Sequence, residues 1–195
     1  FMSSKKKTPK ADTGRLEELR ELLESRILVL DGAMGTELQT KALKAADFGG
    51  PELEGCNEHL VLTKKDVLTA IHESYLQAGA DIIESNTFGA VPWVLEEYGI
   101  ASKATEINRA AVELALKCAK KHSTPRQPRF VAGSMGPGTK TISVTGGITF
   151  AEVRRHYAEA SRALIEGGSD LLLLETQQDT LNVKASVLGC QDAFD

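Results

Sequence analysis

Polar residues that could do chemistry stand directly behind short apolar runs in this sequence. Asp31 follows Ile27-Leu28-Val29-Leu30, and Glu84, Asn86 and Thr87 follow Ile82-Ile83. Ser134 follows Phe130-Val131-Ala132-Gly133, and Glu175-Thr176 follows Leu171–Leu174. If the runs are parallel strands, these residues meet at one end of a sheet. Two or three carboxylates in one mouth, with no Lys or Arg beside them, suit an ammonium group or a metal ion. The plainer alternative is that Asp31 and Glu175 cap backbone N–H groups of the turns behind them. Two glycine-bearing loops share that end, Asp31-Gly-Ala-Met-Gly-Thr36 and Gly133-Ser-Met-Gly-Pro-Gly138. Backbone N–H groups exposed in such turns can cradle an anion such as a carboxylate. Neither loop has the Gly-Lys-Ser/Thr ending of a phosphate loop.

Other reactive side chains offer less. Cys56, Cys118 and Cys190 lie 62 and 72 residues apart, without local metal spacing. A scattered, odd set reads as reduced cytosolic thiols rather than as a disulfide framework. Cys118 falls on a helical apolar stripe and reads as core. His72 and His156 lie within helical patterns, His59 in a loop and His122 at a helix end, and no His-Glu-x-x-His pair exists. Met34 and Trp93 could line a pocket or simply pack.

The elements that must position these residues alternate. Leu16, Leu19, Leu22 and Leu23 predict a helix over 14–25. Thr63-Lys-Lys-Asp66 opens another that carries Val67, Ile71, Tyr75 and Ala78 to Gly79. Ile107, Ala111, Leu114 and Cys118 mark a third. Thr149-Phe-Ala-Glu152 is a capping box, in which two side chains satisfy each other's free N–H groups. The helix behind it runs to Gly167-Gly168, and a last helix is expected over 180–194. The four apolar runs then read as strands covered on both faces, hence a parallel sheet. Ala78-Gly-Ala-Asp-Ile-Ile-Glu-Ser-Asn-Thr87 and Gly167-Gly-Ser-Asp-Leu-Leu-Leu-Leu-Glu-Thr176 align without gaps at an offset of 89 residues. That is about two strand–helix units of roughly 45 residues each, so four βα units fit the chain. A closed (β/α)8 barrel needs eight strands and about 250 residues. Residues 14–195 therefore read as the N-terminal half of such a barrel. Val29, Ile83, Val131 and Leu173, or their neighbours, would face its interior. An open doubly wound sheet is the alternative, without a Gly-x-Gly-x-x-Gly after the first strand.

Composition narrows the classes. The chain has 195 residues, 42% hydrophobic and 26% charged, with a net charge of -4. No apolar run approaches the roughly 20 residues of a membrane span. An acidic balance without a basic aromatic face gives no reason to expect nucleic acid. Residues 1–13, with Lys5-Lys6-Lys7, read as a disordered basic tail without the apolar stretch of a secretory signal.

Four stretches together resemble the homocysteine-binding (homocysteine S-methyltransferase) domain of the cobalamin-dependent methionine synthase family. They are Ile27–Thr36, Ala78–Gly89, Ala132–Pro137 and Gly167–Thr176, in the family's order and spacing across 26–190. The segment Leu53-Glu-Gly-Cys-Asn-Glu-His-Leu-Val-Leu-Thr-Lys-Lys-Asp66 is similar to the cobalamin-dependent branch. The resemblance implies a cytoplasmic, zinc-dependent (β/α)8 barrel, of which this chain supplies about the first four units. It implies a methyltransferase of methionine biosynthesis. Homocysteine, held as a zinc thiolate, takes a methyl group from methylcobalamin regenerated from 5-methyltetrahydrofolate. By the same resemblance Asp31 and Glu175 hold the substrate ammonium group. Backbone groups around Gly32, Ala33, Gly133 and Ser134 hold its carboxylate, and Asn86 and Thr87 support the mouth.

One departure bears on the chemistry. The family's zinc-binding cysteines lie on later strands, beyond residue 195, and the three cysteines here fall at positions the family does not use. No residue of this chain is therefore expected to ligate metal. Cobalamin and folate belong to other modules of the same longer protein. The alternatives are a related S-methyltransferase with a small-molecule donor and a non-catalytic half-barrel module. The sequence after Asp195 discriminates them.

Overall fold

The structure, a computed structural model, describes residues 13–194. Of the expected basic tail, residues 1–12 lie outside the described residues. The chain order is α1 (Thr13–Ser25), α2 (Met34–Gln39), α3 (Ala45–Phe48), α4 (Leu60–Thr63), α5 (Lys65–Ala78), β1 (Ile82–Glu84), α6 (Pro92–Leu95), α7 (Ala104–His122), β2 (Phe130–Met135), α8 (Phe150–Gly167), β3 (Leu171–Leu174) and α9 (Thr180–Phe194). The fold is α/β. Its sheet is parallel in the order β1-β2-β3, with Glu84 beside Ala132 and Ser134 beside Leu173.

The expected first strand is reduced to a single parallel bridge, Leu30 to Ile82. Asp31 N donates to Ile82 O, and both Asp81 N and Ile82 N donate to Val29 O. The segment thus runs beside β1, but its outer side meets no strand among the described residues. Ile27 is 88% exposed and Val29 55%. Val29 N donates to the Asp81 carboxylate instead of to a strand carbonyl. With one neighbour and a diverted N–H, the run makes too few rungs for a ladder.

Helix boundaries follow local chemistry. Thr149 and Glu152 form the expected capping box at the start of α8. α5 ends at Gly79 and α8 at Gly168, both left-handed, a conformation that costs glycine little. The helix expected from Thr63 is α5, which starts at Lys65 and runs to Ala78 before Gly79, and Lys64, outside helical geometry, separates it from the short α4 before it.

Side chains alternate across the sheet. Ile83, Val131 and Met135 point to the helices and join Val112, Tyr157 and Leu164 in a dry core. Ile83 and Val131 are therefore not interior-facing. Strand alternation gives the opposite face to Ile82, Phe130, Ala132, Ser134, Leu171 and Leu173. A second core, around Leu60, Leu68, Ile71, Leu95 and Ile107, ties α4 and α5 to α7.

The internal echo has a physical basis at the N-terminal ends of the strands. Asp81, before β1, takes two hydrogen bonds from Arg26, at 2.8 and 2.7 Å. Asp170, before β3, takes two from Arg15, at 3.0 and 3.1 Å, and accepts from Val131 N. Each repeat thus uses its aspartate to join a neighbouring backbone N–H to an arginine. Arg15 also lies 4.3 Å from the centre of the Phe130 ring, so α1 covers this end. The other end is left for chemistry.

Candidate functional site

At the C-terminal ends of the strands the electrostatics reverse. Asp31 follows the bridging segment, Glu84 closes β1, Ser134 stands near the end of β2 and Glu175 follows β3. With Gly32, Ala33, Met34, Gly35, Ser85, Asn86 and Phe88 they line a cavity of about 330 Å³. None of these lining residues is cationic. At the opposite end Arg26 holds the Asp81 carboxyl down to about 2.

The carboxyls are tied to one another. Asp31 Oδ1 accepts from Glu84 N at 3.0 Å. Ser134 Oγ donates to Glu175 Oε1 at 2.5 Å. The Glu84 side chain also interacts with that of Glu175, which favours the protonated form of Glu84. Burial pushes Asp31 up to about 7, against two backbone hydrogen bonds and with a small addition from the charge of Glu175. Burial also pushes Glu84 up to about 8, aided by its interaction with the Glu175 side chain and by the charges of Glu175 and Asp31. Near neutral pH the cavity therefore holds protons that an arriving cation would displace.

The walls come from two loops. Asn86 Nδ2 donates to Asn57 O at 2.7 Å, and Gly89 N donates to Glu58 Oε1 at 2.8 Å. Phe88 O accepts from Gly136 N, and the Phe88 ring lies on Gly136, where a Cβ would come within 2.5 Å of it. On the other side, Gly32 lets its loop approach α5, since a Cβ there would sit 3.3 Å from the Tyr75 ring.

Of the residues singled out from sequence, Asp31, Gly32, Ala33, Asn86, Ser134 and Glu175 line the cavity. Thr87 and Gly133 stand behind its wall. Thr87 is buried, with Oγ1 on Ser134 O and Ser85 Oγ. Gly133 faces α8, where a Cβ would meet Leu164 at 3.1 Å. Glu84, expected among the polar residues of the mouth, and Met34, weighed as pocket-lining or packing, also line the cavity; Gly35, Ser85 and Phe88 line it without having been assigned a role. Glu84 lies two residues beyond Ile82, on the same face of β1.

A family model described as homocysteine S-methyltransferase matches residues 28–194. The chain belongs to the homocysteine S-methyltransferase family. Two relatives are the methionine synthases of Mycobacterium tuberculosis and Mycobacterium leprae, 44% and 45% identical over 177 residues. The matches cover 91% of this chain but only 15% and 14% of those proteins. Among solved structures, the homocysteine methyltransferase MmuM from Escherichia coli superposes in its oxidized form with a TM-score of 0.70 at 24% identity. Its metallated form gives 0.71 at 21% identity. These cover 90% of this chain and 63% and 64% of MmuM, and at such identity they establish the fold alone.

The residues present do not fit the metal the family implies. Cys56 lies before α4, Cys118 in α7 and Cys190 in α9, all as free thiols. Burial raises all three, Cys56 to about 11, which disfavours the thiolate a metal needs. Among the described residues no group of three or more His, Cys, Asp or Glu side chains is placed to hold a metal ion. Among them, too, no helix is long and apolar enough to cross a membrane.

Proposed function

We propose that this chain forms the homocysteine-binding part of a methionine synthase, on the first half of a (β/α)8 barrel. One observation carries the reading: a family member places three carboxyls, without a cation, in one cavity at the C-terminal ends of its strands. In this reading Asp31 and Glu175 receive the ammonium group of homocysteine, and Glu84 completes the acidic side. Backbone groups around Gly32, Ala33 and Ser134 hold the substrate carboxylate. Asn86 shapes the wall, and Thr87 and Gly133 support Ser134 from behind. Zinc and cobalamin are the cofactors that family resemblance implies. Among the described residues no group is placed to hold zinc, so in this reading the chain's part is to bind and orient the amino-acid end.

The remaining partners in this reading are folate- and cobalamin-binding modules of a longer cytoplasmic protein. The small share of the mycobacterial methionine synthases that the chain spans supports it. The test is the donor. Full-length protein given L-homocysteine should form methionine with methylcobalamin, read by mass spectrometry, and not with betaine or S-methylmethionine. Turnover with a small-molecule donor alone would move the protein to the other branch of the family.

A further inference from the structure

Glu58 stands outside the cavity, in the Leu53–Asp66 segment, yet it is bonded to the loop that forms one wall. Its Oε1 accepts from Gly89 N at 2.8 Å. Next to it, Asn57 O accepts from Asn86 Nδ2 at 2.7 Å. The loop is also held by Gly136 N on Phe88 O, at 2.8 Å, and by Thr87 Oγ1 on Ser134 O, at 2.7 Å. Two of these four ties come from adjacent residues of one turn. A Cβ on Gly89 would lie 2.8 Å from Glu58 Oε1, so alanine there would push the Glu58 carboxyl off the Gly89 N–H. Asn86 and Phe88, whose side chains line the cavity, sit between the ties.

We infer that Glu58 is a positioning residue for the substrate cavity, fixing Asn86 and Phe88 through the Gly89 backbone. The inference rests on the homocysteine-binding reading of that cavity. Without the Glu58 oxygen, Gly89 N–H loses its partner and the wall can drift. A displacement of this kind weakens ligand binding without removing a ligand contact. Glutamine keeps an oxygen acceptor in the same place, so charge is dispensable and geometry is not.

The experiment compares Glu58→Ala, Glu58→Gln and Gly89→Ala in the full-length protein. Amide hydrogen exchange at Gly89 and calorimetric titration with L-homocysteine are the readouts. Glu58→Ala should speed exchange at Gly89 and weaken homocysteine by about tenfold, the scale of one hydrogen bond to a charged group. Glu58→Gln should restore both to near the parent values. Gly89→Ala should weaken binding as Glu58→Ala does, and the double variant should lose little more. A folded Glu58→Ala protein with parental affinity, or a Glu58→Gln protein as impaired as Glu58→Ala, overturns the inference. A parent protein that does not bind homocysteine overturns the functional reading instead. In that case exchange at Gly89 still decides whether Glu58 holds the loop.

Discussion

Asp31 and Glu84 keep their protons in the folded protein at pH values where the unfolded chain has released them. Their pKa values are raised to about 7 and about 8, from ordinary values of 3.8 and 4.5. A raised carboxyl favours folding fully below its unfolded pKa and loses that contribution as pH rises through its folded pKa. Asp81 and Asp179 act oppositely. Both are lowered to about 2, Asp81 first by Arg26 and Asp179 first by the Ser143 hydroxyl, so their contribution is lost only in strong acid. Between about pH 5.5 and 8.5 the ligand-free protein should therefore melt at lower temperature as pH rises. Glu84→Gln should flatten that slope in scanning calorimetry, and an unchanged slope would show that Glu84 does not keep its proton in the folded cavity. At this scale the sequence was informative where a polar residue directly follows an apolar run, as Asp31, Ser134 and Glu175 do. It was less so for Gly133 and Thr87. Which face a residue takes depends on strand register, and one step turns it from the cavity to the helices.

Helices were legible because their ends are local. The Thr149–Glu152 box and the left-handed glycines at 79 and 168 are set by neighbours in sequence. Strands were less so, because a ladder needs a partner. Ile27–Leu30 is as apolar as Leu171–Leu174, yet only the latter becomes a strand. The difference lies in their neighbours, not in their residues. Packing between helices is equally nonlocal, and Gly189 illustrates it. A Cβ on Gly189 in α9 would meet Arg154 O of α8 at 2.4 Å and Ala158 N at 3.0 Å. In an isolated helix Gly→Ala is worth about 1 kcal/mol of stabilisation. Here overpacking, which costs roughly 1–3 kcal/mol, opposes it. Because the closest atom belongs to the backbone of α8, the clash should win. Gly189→Ala is expected to lower the melting temperature by several degrees, and an equal or higher value would mean that α8 and α9 separate easily.

Across the whole molecule the two ends of the strands divide the work. One end is closed by Arg15 and Arg26 on Asp170 and Asp81, which fixes the strands against α1 and its following segment. The other gathers Asp31, Glu84 and Glu175 in a cavity whose lining carries no positive charge. Such segregation was visible in outline, since the polar residues all follow the apolar runs. The proton that Glu84 keeps was not, because it depends on burial and on β1 and β3 flanking β2. In the proposed function this acidic end receives the ammonium group of homocysteine. Titration calorimetry on the full-length protein, with L-homocysteine and with 3-mercaptopropionate, which lacks that ammonium group, tests this directly. Glu175→Gln keeps an oxygen for the Ser134 hydroxyl but removes the charge. It should weaken homocysteine by about ten- to a hundredfold, the worth of a charged hydrogen bond, and leave 3-mercaptopropionate nearly unchanged. Equal losses for the two ligands, or none for homocysteine, would contradict an ammonium-binding role for this cavity.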